Sequence, residues 1–252
     1  MKRINLLLRS LLLAGATLGM ASAANASGGH ADLPYTFKAD TGNMASVQRG
    51  ARNFMNYCSG CHSMQHLRYS RLGADLGIPD DLLAENLMFT SDKPGNPIVS
   101  SLPHDKAASW FGAAPPDLSV TSRLRTPTWV YNYLLTFYVD DSRPLGTNNL
   151  ALPGASMPNV LGALQGQQVY TPAEGEAAHG EHAASPFKRI SQGSMDEREF
   201  QKFVGDTVNF MTYAAEPGKA ARVSTGFKVS VFLLIFSFLA WLLKREYWKD
   251  VH

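Results

Sequence analysis

Cys58-Ser59-Gly60-Cys61-His62 is a C-x-x-C-H motif, and it contains both cysteines of the chain. This spacing attaches a c-type haem: two thiols add to the porphyrin edge, and the following histidine turns onto one face of the iron. The other uses of such a pair fit less well. A structural zinc site draws about four N or S ligands, usually several of them cysteines, and no third cysteine exists here. A thioredoxin-like redox pair does not call for the following histidine. A disulfide between residues three apart would be small and strained. One motif implies one covalently bound haem c, with His62 as an iron ligand.

The chain ends fit this chemistry. Lys2, Arg3 and Arg9 precede an apolar run from Leu11 to Leu18, and A-x-A sites follow at Ala21-Ser22-Ala23 and Ala24-Asn25-Ala26. This pattern predicts a signal peptide over 1–26, cut after 23 or 26. An uncleaved anchor is the alternative. Near the other end, Val229 to Leu243 carries no charge, and Lys244, Arg245, Tyr247, Trp248 and Lys249 follow it. With Gly226, Phe227 and Lys228 the run reaches about 18 residues, the lower edge of a membrane span. The basic and aromatic residues after it suit an interfacial belt. Lys219, Arg222 and Lys228 balance the basic residues beyond it, so charge alone does not orient the span. The signal peptide does: the expected order is an external domain over 27–222, an anchor over 223–244, and a cytoplasmic tail over 245–252.

Of 252 residues, the part between signal and anchor lies in the single-domain range. A net charge of +2 gives no reason to expect a nucleic-acid partner. Charged residues are 17% of the chain, with 14 Pro and 21 Gly, which suits a loop-rich domain wrapped around a flat apolar cofactor. Helical periodicity predicts a helix over about 45–57, with Gly50 and Phe54 on one face, and another from Pro127 to about Asp140. Ser194 to Glu197 reads as a capping box. The helix after it carries Phe200, Phe203, Val204, Thr207, Val208 and Met211 on one face and ends at Pro217-Gly218. Gly50 and Phe54 should meet this last helix near Phe203 to Met211, since Gly lets two backbones approach. The stretch from Gln165 to Gly193, with His179 and His182 beside two glutamates, reads as a solvated loop.

Thioether sulfur as second axial ligand gives a six-coordinate electron carrier, whereas an open site suits a gas sensor. The candidates are Met44, Met55, Met64, Met88, Met157, Met195 and Met211. The first three lie close to the haem motif. Met195 and Met211 are assigned to the last helix. Met157 lies in the turn-rich Pro153-Gly154-Ala155-Ser156-Met157-Pro158-Asn159, which can present a side chain to a planar cofactor. For His62, the second ring nitrogen should bond a backbone carbonyl, and Pro115 or Pro116 is the expected acceptor.

Taken together, the chain resembles the cytochrome c1 family, the haem subunit of the cytochrome bc1 complex. The resemblance rests on Cys58 to Met64, then Pro115-Pro116-Asp117-Leu118-Ser119, Met157-Pro158, Tyr213-Ala214-Ala215-Glu216-Pro217, and the terminal anchor. It implies a mainly α, cytochrome c-like haem domain with long loops and one C-terminal transmembrane helix. It makes Met157 the axial methionine, and places Arg125 and Tyr131 along the haem, the arginine near a propionate. It further implies an electron-transfer subunit that takes an electron from the Rieske iron–sulfur protein and gives it to a cytochrome c. Cytochrome b would be the membrane partner, in a dimeric complex at the bacterial inner membrane with the haem domain in the periplasm. No general acid, base or nucleophile is required of the chain itself. The alternative is a membrane-anchored monohaem cytochrome c feeding a terminal oxidase. The chain departs from the family in having Asn159 where a second Pro is frequent. It also lacks an extra cysteine pair that clamps a loop in some bacterial relatives, so that loop should be held by packing alone.

Overall fold

In the computed structural model, residues 33–171 and 185–249 are described. The expected signal peptide, the histidine pair at 179 and 182, and residues 250–252 lie outside them.

Helix α1 (Met44–Tyr57) starts where Asn43 accepts the Ser46 amide at 3.1 Å and ends at the haem motif. Strand β1 (Met64–Arg68), helices α2 (Tyr69–Leu76) and α3 (Asp80–Leu87), strand β2 (Pro97–Ile98) and helix α4 (His104–Phe111) follow. Then come the short α5 (Thr121–Arg125), α6 (Pro127–Leu135), and strands β3 (Phe137–Val139) and β4 (Thr147–Asn149). A single turn, α7 (Gly162–Gln165), leads to β5 (Gln168–Tyr170) and β6 (Phe187–Arg189). Two long helices close the chain, α8 (Glu197–Ala215) and α9 (Lys219–Tyr247). Among the described residues, the strands form three separate antiparallel pairs, β1 with β2, β3 with β4, and β5 with β6. The fold is therefore mainly α, as expected.

The core forms around the crossing of α1 and α8. Val47, Ala51 and Phe54 of α1 and Val204, Val208 and Phe210 of α8 are fully buried. Gly50 lies at the crossing: a Cβ there would come within 2.0 Å of Asp206 O and 2.7 Å of Phe210 Cβ. Phe54 meets Phe210 with ring centroids 5.6 Å apart. The expected approach of the two helices is thus present. Polar groups lock its register. The buried carboxylate of Asp206 accepts from Arg49 Nε at 2.6 Å, from Arg49 Nη2 at 2.9 Å and from Ser46 Oγ. Asn209 donates to Ser46 Oγ at 2.8 Å. These bonds satisfy charges and hydroxyls that burial would otherwise penalise.

Helix α6 also packs on α8, and residues 35–37 run along it: Asn132 exchanges bonds with Tyr35 N and O, and Thr128 Oγ1 donates to Phe37 O at 2.8 Å.

Several expected boundaries move. Helix α6 stops at Leu135 and does not reach Asp140, because Phe137 to Val139 pairs with Thr147 to Asn149 as a strand. The capping box of α8 is Asp196 with Glu199, not Ser194 with Glu197: Asp196 Oδ1 accepts the Glu199 amide at 2.8 Å, and Glu199 Oε2 accepts the Asp196 amide at 3.0 Å. The Ser194 and Met195 amides bond Ala163 O and Leu164 O, so Met195 precedes the helix. The 165–193 stretch is not all solvated loop. Its ends pair as β5 and β6, and the buried amides of Gln165 and Gln168 donate to Leu135 O at 2.9 and 3.0 Å. Helix α9 runs from Lys219 to Tyr247 and contains the whole stretch expected as the anchor, 223–244.

Among the described residues, α9 is the one helix long and apolar enough to cross a membrane, with an 18-residue window of mean hydropathy 2.1. None of its residues is buried against the rest of the chain.

Candidate haem site

The C-x-x-C-H motif is a continuation of α1. The Cys58 and Ser59 amides donate to Phe54 O, and the Cys61 and His62 amides both donate to Cys58 O, at 3.1 and 2.8 Å. Ser59 Oγ donates to Met55 O at 2.7 Å. The chain thus makes one tight turn that carries both thiols and delivers His62 straight after them. No disulfide joins Cys58 to Cys61.

Position in the helix separates this pair from a redox dithiol. Low-pKa redox cysteines sit at helix N-termini, where the dipole favours thiolate. This pair sits at the C-terminus of α1, the end that disfavours negative charge. Burial, together with the neighbouring Cys61, pushes the Cys58 thiol up to about 12. It stays protonated at neutral pH.

His62 is buried, and its Nδ1 lies 2.8 Å from Pro116 O. A carbonyl only accepts, so Nδ1 carries the proton and Nε2 keeps a lone pair. Burial lowers the imidazole pKa, against the opposing pull of the Pro116 carbonyl and Asp117. The ring is therefore neutral at pH 7, the form that ligates metal. Two thiols on one turn, followed by a neutral imidazole with Nδ1–H held and Nε2 available, are a donor set that fits a c-type haem.

Of the two prolines expected to serve His62, it is Pro116 whose carbonyl takes the bond. Pro115 directly precedes it and is half-buried. Arg125 ends α5 with its guanidinium carbon 5.2 Å from the centroid of the Trp129 ring, which stacks on Tyr133 at 5.2 Å. Thr126, between α5 and α6, has φ 76° and ψ 148°. That region is nearly exclusive to glycine and costs about 1–3 kcal/mol, so the backbone is strained next to Arg125. Tyr131 is buried, stacked on Phe37 at 4.6 Å and edge-on to Tyr35 at 6.5 Å. Burial pushes its phenol up to about 12.

Met157 lies half-buried in the loop after β4. Hydrogen bonds brace this loop. Asn149 Oδ1 accepts the Ala151 and Leu152 amides at 2.9 and 3.1 Å, Asn148 Oδ1 accepts the Gly154 amide at 2.8 Å, and Arg143 Nη2 donates to Gly154 O at 2.9 Å. Hydrogen bonds as well as packing therefore hold the segment that leads to Met157. A Cβ on Gly112 would stand 3.9 Å from Ser156 Oγ. The methionine loop therefore lies beside the segment that leads to Pro115 and Pro116. Asn148 and Asn149 drew no attention in the sequence, although an Asn pair before a Pro-Gly loop is a turn signal.

The sequence profile of the Cytochrome C1 family matches residues 35–251. A cytochrome c1 from Allochromatium vinosum is 45% identical, over 97% of this chain and 100% of the relative. One from Rhodospirillum rubrum is 31% identical, over 96% and 97%. A protein of Nitrosomonas europaea named ammonia monooxygenase gamma subunit is 38% identical, over 84% and 86%.

Proposed function

The chain belongs to the cytochrome c1 family, the membrane-anchored haem subunit that carries electrons within the cytochrome bc1 complex, and we propose that it takes one electron from a Rieske iron–sulfur partner and passes it to a c-type cytochrome. It carries one covalently bound haem c, which supplies a one-electron iron couple. The task of this chain's own residues is placement. Cys58 and Cys61 fix the cofactor by two bonds at the end of α1. His62 offers Nε2 to the metal, and Pro116 O holds the opposite side of its ring, which fixes the tautomer and raises ligand basicity. Met157 would hold the iron as a second ligand, presented by the loop that Asn148, Asn149 and Arg143 brace. Arg125 is proposed to sit near a propionate, with Pro115 and Tyr131 along the cofactor.

The observation that carries this reading is the His62 Nδ1 to Pro116 O bond directly after two thiols on one turn. It fixes the tautomer that leaves Nε2 free for a metal, and the two thiols on the preceding turn are what point to a haem. Helix α9 leaves its apolar surface free for lipid and for a partner in the membrane, where the proposal places cytochrome b. The haem domain is proposed to face the periplasm, in a complex that is dimeric.

Purification in mild detergent tests the assignment. Cytochrome b and a Rieske protein should co-purify, and quinol should reduce the haem only while the Rieske protein is present. Isolation with terminal oxidase subunits, and no cytochrome b, would support the monohaem oxidase donor instead.

A further inference from the structure

Asp117 follows the carbonyl that holds His62, and its carboxylate joins two segments far apart in sequence. Oδ2 accepts the Gln65 amide at 2.9 Å, and Oδ1 accepts the Ser119 amide at 2.8 Å. The bond to Ser119 is a local Asx turn, common wherever an Asp initiates a turn. The bond to Gln65 spans 52 positions of sequence and is not explained by the turn. Two further bonds run beside it. The Leu118 amide donates to Ser63 O at 2.8 Å, and the His66 amide donates to the buried Ser119 Oγ at 3.1 Å. Residues 63–66 and 117–119 are thus stitched into a seam. One strand of it begins directly after His62 and the other directly after Pro116.

We propose that Asp117 is a positioning residue for the proximal imidazole: by bridging Gln65 and Ser119, it holds Pro116 O against His62 Nδ1–H. The seam sets where the carbonyl stands relative to the ring, because neither Pro116 nor His62 can shift without stretching it. Pro116 is exposed and donates no amide bond of its own. Its position therefore depends on its neighbours. The carbonyl bond increases electron donation from the ring, so a loosened seam favours reduced iron and raises the midpoint potential. The proposal rests on His62 being an iron ligand.

The test compares Asp117→Ala, Asp117→Asn and Ser119→Ala in the full chain within its complex. Haem staining on a denaturing gel, midpoint potential, and hydrogen exchange of the peptide spanning residues 62–68 are read for each. Asn keeps one acceptor oxygen but turns an N–H₂ toward the other amide. The expected result is retained covalent haem, a potential raised more in Ala than in Asn, and faster exchange in the same order. Ser119→Ala, which changes no charge, should raise the potential too. Equal rises in both Asp117 variants, with no shift and unchanged exchange in Ser119→Ala, would mean a charge effect alone and overturn the proposal. So would unchanged potential in all three. If Asp117→Ala does not retain haem, Asp117→Asn and Ser119→Ala decide by the same two readouts. A parent protein whose spectrum lacks a histidine-ligated low-spin iron overturns the ligand reading itself, before any variant is made.

Discussion

Replacing Gly50 with Ala should destabilise the haem domain by about 2 kcal/mol, the balance of a steric cost and a helix-propensity gain. The added Cβ would stand 2.0 Å from Asp206 O, whereas ordinary contact begins at 3.4 Å, so α1 and α8 must part by about 1.4 Å at this point. The obstacle is backbone, with Asp206 C at 2.7 Å behind the oxygen, and it does not swing aside. Overpacking of this kind costs about 1–3 kcal/mol, and the upper end applies where backbone is struck. Parting the helices also weakens dispersion around the site, since a gap of about 0.5–1 Å forfeits a quarter to a half of each contact. The gain from replacing Gly in a helix, about 1 kcal/mol, offsets part of this. For a domain of this size, about 2 kcal/mol corresponds to a fall in Tm of roughly 4–8 °C. The assay is thermal unfolding in detergent, followed by Soret circular dichroism. Gly50→Val should fall further and lose haem during assembly. Gly95→Ala, where a Cβ meets nothing within 4 Å, is the control and should stay within about 0.5 kcal/mol. A Gly50→Ala protein that melts with its parent would refute the tight crossing.

Asp206→Ala should cost about 2 kcal/mol by the same melt: breaking a buried pair costs about 3–5 kcal/mol, and the partial exposure of Arg49, at 38%, discounts it. Met157→Leu should keep the haem attached, lower the midpoint potential and admit carbon monoxide, because thioether ligation favours reduced iron; an unchanged potential and spectrum would point to another ligand. Burial pushes Tyr131 and Tyr133 up to about 12 from the ordinary 10.0. A raised pKa means stability from these groups is complete below pH 10 and lost as pH rises through 12, so ultraviolet phenolate titration should show Tyr131 and Tyr133, together with Tyr213, which burial also raises, lagging the exposed phenols while the domain loosens over that window. Cutting the chain before Arg222 should release a soluble haem-bearing domain that no longer co-purifies with a membrane partner, as measured by fractionation.

The haem turn, the mainly α fold and the α1–α8 crossing were legible because each leaves a local mark: two cysteines and a histidine in one turn, helical spacing, and a glycine one turn from a phenylalanine. The Pro116 carbonyl was legible from chemistry, since a ligating histidine needs an acceptor and prolines keep theirs. Other features depend on contacts that sequence periodicity does not carry. Apolar spacing runs unbroken from Trp129 through Tyr138, and only the pairing of Phe137 with Asn149 ends α6 at Leu135. Ser194 with Glu197 and Asp196 with Glu199 both satisfy the capping pattern; the bonds of residues 194 and 195 to α7 choose the second. Gln165 and Gln168 looked like solvated polar residues, yet their amides are buried on Leu135 O. The reach of Asp117 to Gln65 is likewise a property of the folded chain.

Mass spectrometry of the mature protein after denaturation tests the central claim most directly. The account predicts one haem added to the single peptide that spans Cys58 to His62, with no free thiol left. Haem lost on denaturation with both thiols free, or a bond found on one cysteine alone, would contradict it.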